Sequence, residues 1–169
     1  MHLLIDGYNL LHVNRFLTPL NALQLQWERD RLIDELSAYQ KLKSCEITVV
    51  FDGWQGGWST EKRERKKGID LIFSKLGEKA DEVIKRLVRE KGSGMIVITS
   101  DRDIARFAER MAVSVISSEQ FQEKLEEPSN KFEEVFEGEE EEERGNKKKG
   151  LSKRLSKNEK RSRAALKKL

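Results

Sequence analysis

The sequence predicts an α/β sandwich built on a mostly parallel, five-stranded sheet. Three observations predict it. Short runs rich in Ile, Val and Leu recur as far as Ile116, too brief for helices and too continuous for strands with one wet face. Between several of them lie stretches with apolar residues at helical spacing. Gly, Asp and Asn punctuate the changeovers.

Leu3-Leu4-Ile5-Asp6 opens the chain as a buried strand, and Gly7 is placed to let the backbone turn sharply behind it. Asn21 is a candidate cap for a long helix whose inner face carries Leu25, Leu32, Ile33, Leu36, Tyr39 and Leu42. Trp27 and Tyr39 read as packing residues of that helix. Glu46 to Phe51 is β-branched and aromatic, a second strand ending in Asp52-Gly53. Trp54 to Lys67 reads as a loop rich in Gly, Trp and basic residues. Ile69 to Phe73 is a third strand. Gly77 to Asp81 opens a helix with Ala80, Val83, Ile84, Leu87 and Val88 inward, closed by Gly92 and Gly94. Met95 to Ser100 is a fourth strand and runs into Asp101. Residues 102–111 are helical through Ile104, Ala105, Phe107 and Ala108. Val113 to Ile116 is a fifth strand, and Ser118 caps a last helix with Phe121 and Leu125 inside.

Pro128-Ser129-Asn130 marks the expected domain end, giving a domain at 1–128 and a charged C-terminal tail at 129–169. Charge is segregated there. Glu133 to Glu143 holds eight Glu, whereas Arg144 to Leu169 holds twelve Lys/Arg against one Glu. The net +3 of the 169-residue chain therefore hides a near-neutral domain, an acidic block and a basic end. So few apolar residues predict disorder in isolation, or a helix that forms on binding through Leu151, Leu155, Leu166 and Leu169. The tail is expected to contact nucleic acid through phosphates, with the acidic block folding back to weaken nonspecific binding.

One cysteine, Cys45, excludes an intrachain disulfide, and two histidines, His2 and His12, argue against a His-rich zinc site. No apolar run has membrane-spanning length and no signal peptide is evident, so a cytoplasmic protein with no membrane partner is expected.

The chemistry gathers at one place. Three strands end in Asp: Asp6, Asp52 and Asp101. Asp81 and Asp103 fall in the first turns of helices. Strand ends and helix starts share one edge of a parallel sheet, where such sheets bind ligands and helix N-termini favour anions. Glu78 could join from the loop before Asp81. Singly, each acid reads as a turn or a cap. Together they repel, since two charges about 4 Å apart at an effective dielectric of ~20 cost roughly 4 kcal/mol. A cation relieves that, and oxygen-only ligands suit Mg²⁺ or Mn²⁺. Such an ion activates water and offsets charge on a phosphate.

Asp-Gly-Tyr-Asn at residues 6–9, Val-Val-Phe-Asp at 49–52, Gly-Glu-Lys-Ala-Asp-Glu-Val-Ile at 77–84 and Thr-Ser-Asp-Arg-Asp at 99–103 occur in that order. This set resembles the NYN branch of the PIN-like ribonucleases, and most closely its YacP-like group, over residues 1–125. The resemblance implies a PIN-like three-layer sandwich with strands ordered 3-2-1-4-5, and a metal-dependent endoribonuclease leaving 5′-phosphate and 3′-hydroxyl ends. By position it implies Asp6, Asp81 and Asp101 as core metal ligands, with Asp103 beside them. Asn9, Asp52 and Asp103 are then supporting ligands or orient water and substrate. It also implies a setting on ribosome-associated RNA or mRNA.

The loop after Asp52 is the expected RNA contact. Trp54 and Trp58 can stack bases, and Lys62, Arg63, Arg65, Lys66 and Lys67 can meet phosphates. The plainer alternative folds the Trp pair onto the core and leaves the charges as a solvated face. Single-stranded RNA fits best, because a flexible strand can bend its phosphate into an acidic crevice.

Two rivals stand beside this reading. One is a non-catalytic RNA-binding or ribosome-associated factor on the same fold. The other is a phosphotransfer enzyme with a nucleophilic Asp followed two residues later by an acid. Asp6 is followed by Gly7-Tyr8, so that pattern fails at the first strand; Asp101-Arg102-Asp103 has the spacing on the fourth.

Overall fold

The computed structural model describes residues 1–13, 21–53, 58–133 and 156–169. In chain order the elements are β1 (His2–Asp6), α1 (Gly7–Val13), α2 (Ala22–Lys43), β2 (Glu46–Phe51), β3 (Lys62–Lys66), β4 (Ile69–Phe73), α3 (Ala80–Lys91), β5 (Met95–Ile98), α4 (Arg102–Arg110), β6 (Ser114–Ile116), α5 (Ser118–Glu133) and α6 (Lys157–Leu166).

The sheet has six strands in the order β3-β4-β2-β1-β5-β6. The five expected strands pair in parallel and in the expected order. The sixth, β3, is a correction: most of the basic half of the expected loop is an antiparallel edge strand on β4, with Lys62 opposite Phe73 and Lys66 opposite Ile69. No apolar alternation signals it, because an edge strand with both faces wet can be all charge, and charge there discourages pairing with other chains.

Alternation along the central strands sorts two cores. Leu3, Ile5, Ile47, Val49 and Phe51 face one layer, with side chains of α1, α2, α5 and α6. Leu4, Val50 and Val97 face the other, with α3 and α4. Helices on both faces explain why β1 reads as an unbroken apolar run.

Helix α1 starts directly at Gly7, where a sharp turn was expected. A Cβ on Gly7 would lie 2.3 Å from Phe51 Cε1, so glycine is required by close approach rather than by turning. Asn21 does cap α2, in a reciprocal box with Gln24. Tyr39 is buried, but Trp27 is 63% exposed and Leu42 is also exposed, so those two are not core residues. Helix α5 is capped by Ser117, whose Oγ accepts the Gln120 N–H; the Ser118 hydroxyl bonds elsewhere.

The chain does not leave the fold at residue 128. Helix α5 continues to Glu133, and α6 packs on β6 with Ala165 and Leu169 buried in the first core. The Tyr39 hydroxyl donates to the Leu169 carbonyl at 2.9 Å. Leu166 and Leu169, expected on a partner-bound helix, therefore lie on this domain instead. The acidic block beyond Glu133, together with Leu151 and Leu155, lies outside the described residues. Among the described residues no helix is long and apolar enough to cross a membrane.

Candidate active site

The parallel register brings the carboxyl ends of β1, β2 and β5 side by side at the middle of the sheet. Asp6 is the last residue of β1, Asp52 follows β2, and Asp101 follows β5 after Thr99 and Ser100. Asp81 stands in the first turn of α3 and Asp103 in that of α4.

Asp6 is the most enclosed of them, 7% exposed. One oxygen accepts the Asn9 N–H at 3.2 Å and the other accepts the Thr99 hydroxyl at 3.2 Å. Burial pushes its carboxyl up to about 6 against these two bonds, and the charges of Asp81 and Asp101 push the same way. Asp81 is also raised, first by burial and then by Asp101, with Asp52 adding to it and Lys85 opposing. Asp6, Asp81, Asp101 and Asp52 thus form one electrostatic unit.

Two of these acids also build the edge. Asp52 Oδ1 accepts the Ala80 N–H at 2.6 Å, capping α3 from a different strand, while Lys79 at the N-cap supplies no side-chain bond. Asp101 caps its own helix: Oδ1 accepts the N–H groups of Asp103 and Ile104, leaving Oδ2 outside the cap. Gly53 allows the chain to pass Ser74, since a Cβ would lie 1.9 Å from the Ser74 carbonyl oxygen.

Asn9 sits above Asp6 with its oxygen occupied. Oδ1 accepts the Ser100 N–H at 2.8 Å and the Ser118 hydroxyl at 2.9 Å. The Ser118 N–H donates to Ser100 Oγ, which donates to Glu119. Thr99, Ser100, Ser118 and Glu119 are thus site residues that the motifs alone do not single out. A signal existed: Thr99 and Ser100 immediately precede Asp101 in the fourth motif. Ser118 and Glu119 carried none, because only the fold brings α5 to this edge.

Other expected members stand apart. Asp103 is exposed and lines the groove between α3 and α4. Glu78 bonds Arg86, which also pairs with Glu61. Trp54 lies outside the described residues. Trp58 packs edge-on against Phe73 at 5.4 Å, with Lys62 over its ring at 4.8 Å. The basic residues of β3 are each paired: Lys62 with Glu64, Arg63 with Glu61, Arg65 with Asp70 and Lys66 with Asp30, and the adjoining Lys67 with Asp34.

The donor chemistry at the edge fits a hard, water-rich cation. Among the described residues no group of three or more His, Cys, Asp or Glu side chains is placed to hold a metal ion. Mg²⁺ does not need one: it keeps several waters and is commonly held by one or two carboxylates. Burial, and behind it the repulsion of neighbouring acids, raises Asp6 and Asp81, and such an ion would offset both.

The family model for the YacP-like NYN domain matches residues 3–168, well beyond residue 128. The chain is similar to YacP of Bacillus subtilis (strain 168), 34% identical over 87 residues. That stretch is 52% of this chain and 51% of YacP, so the match spans about half the length of this curated relative. Two crystal structures of Rae1 (YacP) from Bacillus subtilis are also similar. One, of a single-substitution mutant, superposes with a TM-score of 0.65 at 26% identity, covering 79% of each chain. The second has a TM-score of 0.61 at 27% identity, covering 80% of this chain and 79% of the other.

Proposed function

This chain belongs to the YacP-like NYN domain family, a family of PIN-like nucleases, and on that premise we propose that it is a metal-dependent endoribonuclease acting on single-stranded RNA. One observation carries the reading: Asp6 and Asp81, from separate segments, are both held above the usual carboxylate range at the carboxyl edge of the sheet, chiefly by burial and further by the repulsion of neighbouring acids, Asp101 among them. A purely structural edge has no need of that repulsion.

One or two of Asp6, Asp81 and Asp101 would hold Mg²⁺ or Mn²⁺ directly, and the remaining acids, Asp103 furthest out, would act through its waters. When bound, the ion supplies an activated water and offsets the charge on a phosphodiester. The chain's own residues do the positioning. The Thr99 hydroxyl and the Asn9 N–H fix the Asp6 carboxylate. Asp52 holds the start of α3, and hence Asp81, through Ala80. The side-chain oxygen of Asn9 is taken by Ser100 and Ser118, so its amide NH₂ is the part left to orient water or substrate. Asp101 Oδ1 is held by the α4 cap, which aims the carboxylate. The proposed setting, ribosome-associated RNA in the cytoplasm, rests on family membership.

Cleavage of a single-stranded RNA with Mn²⁺ and with EDTA tests the reading. Cuts that need the metal, with no release from a small phosphate ester, support it; RNA intact in both conditions contradicts it. A second reading, a non-catalytic RNA-binding factor on this fold, draws on the lack, among the described residues, of any group of three or more acids or His/Cys placed to hold a metal. It predicts RNA binding with no Mn²⁺-dependent cuts.

A further inference from the structure

We propose that the groove between α3 and α4 is a track for the phosphate backbone of a single RNA strand, leading to the carboxylate edge. The proposal deepens the nuclease reading and rests on it for the identity of the polymer.

The groove encloses about 740 Å³ and lies on the face of the sheet opposite α2. Lys85 and Arg89 of α3 and Arg106 and Arg110 of α4 line it. Each pair is spaced four residues apart, which places like charges as neighbours on the helix surface. Among the described residues none of the four forms an ion pair, in contrast with the basic residues of β3, each of which does. Two rows of cations that face one trough and make no ion pair with the acids lining it, Glu82, Asp103 and Glu109, are suited to a polyanion. Arg89 is held by stacking over the Phe107 ring at 4.9 Å, an arrangement that keeps its N–H edge open.

The sign of the groove changes along its length. Glu82 and Asp103 lie in the first turns of the two helices, and the Asp103 N–H is bonded to Asp101, so the acidic end adjoins the site. The cations follow in the later turns. At the far end Asn158 of α6 bonds Glu109, occupying the one acid among the distal cations. Helix α6, which also carries Lys157, Lys160, Arg161 and Arg163, reaches that end through Asn158. A strand lying here would meet cations until it reached the carboxylates, where only a metal makes its phosphate tolerable.

The test is RNA binding in EDTA, so that cleavage plays no part. A fluorescent single-stranded RNA is titrated with the wild-type chain, with Lys85→Gln/Arg89→Gln, with Arg106→Gln/Arg110→Gln, and with Lys62→Gln/Arg63→Gln/Arg65→Gln on β3. Salt is varied between about 50 and 200 mM. For every phosphate that a variant no longer neutralises, the slope of log affinity against log salt should fall by about 0.7. Both groove variants should bind at least about tenfold more weakly at the low end of that range. The β3 variant should bind within about twofold of wild type. Melting temperatures within a few degrees of wild type show that the groove variants fold, since each loses a like-charge neighbour and opposite-charge neighbours of similar weight, and Arg89→Lys/Arg110→Lys should retain most of the affinity. Wild-type affinity in both groove variants, a weakening confined to the β3 variant, tighter binding of polyglutamate than of RNA, or no RNA binding by wild type each overturns the proposal. Groove-dependent binding without Mn²⁺-dependent cuts keeps the track and removes the nuclease; cuts with groove-independent binding do the reverse.

Discussion

The Thr99 hydroxyl donates to Asp6 Oδ2 at 3.2 Å while its oxygen accepts the Asp101 N–H at 3.1 Å. One side chain thus links the ends of β1 and β5 and sets two of the site's acids relative to each other. Thr99→Val keeps the shape and removes both bonds. It should cost about 1–3 kcal/mol, because it leaves a buried carboxylate and an N–H short of a partner. Urea unfolding at neutral pH measures it; a cost near zero would mean that the link is not made in solution.

Asp6 contributes a pH dependence to the stability of the metal-free protein. Its carboxyl rises from 3.8 to about 6 in the fold, so the native state holds the proton more tightly than the unfolded chain. The stability this gives is full below the unfolded value and is lost as pH rises from about 4 to about 6. At pH 7 the ionised Asp6 costs roughly 2–3 kcal/mol. Asp6→Asn removes the charge and keeps a side chain of nearly the same shape. In EDTA at pH 7 it should raise the melting temperature by roughly 4–8 °C, and flatten stability across that window. An unchanged or lower melting temperature would show that the buried, ionised Asp6 carries no such cost.

Gly7 is fixed by packing against Phe51. Gly7→Ala would place a methyl 2.3 Å from the ring and should cost about 1–3 kcal/mol. Phe51→Leu should cost less when combined with Gly7→Ala than when made in wild type, because it opens the space the methyl needs. Equal costs in the two backgrounds would show that the clash relaxes elsewhere.

Helix α6 belongs to the fold. Deleting residues 157–169 uncovers the core around Tyr39 and Phe121 and removes the Tyr39–Leu169 bond, so thermal unfolding should move down by several degrees. Tyr39→Phe alone should cost about 1 kcal/mol. A deletion that melts like wild type would return these residues to the role of a tail.

The parallel sheet was legible because strands covered on both faces must be apolar throughout, and Leu3-Leu4-Ile5 and Met95 to Ile98 are. The acids were legible for a related reason: a carboxylate directly after such a run must come out at the sheet's edge. What escaped had no local signature. Strand β3 pairs through its backbone and needs no apolar side chain, so Lys62-Arg63-Glu64-Arg65-Lys66 reads as solvent-facing loop. Helix α6 buries little beyond Ala165, Leu166 and Leu169, too small a stripe to stand out from a basic run. Ser118 reads as a cap because Ser117-Ser118 offers two candidates, and only the approach of Asn9 decides between them. Trp27 sits beside helical apolar positions and yet faces solvent.

The most direct test of the central claim compares RNA cleavage by wild type and Asp101→Asn across a Mn²⁺ titration, with Arg102→Gln as a control outside the acidic unit. Shared ligation predicts that Asp101→Asn cuts at least about a hundredfold more slowly and needs more Mn²⁺, while Arg102→Gln follows wild type. Cleavage by Asp101→Asn at the wild-type rate and Mn²⁺ requirement would contradict the account.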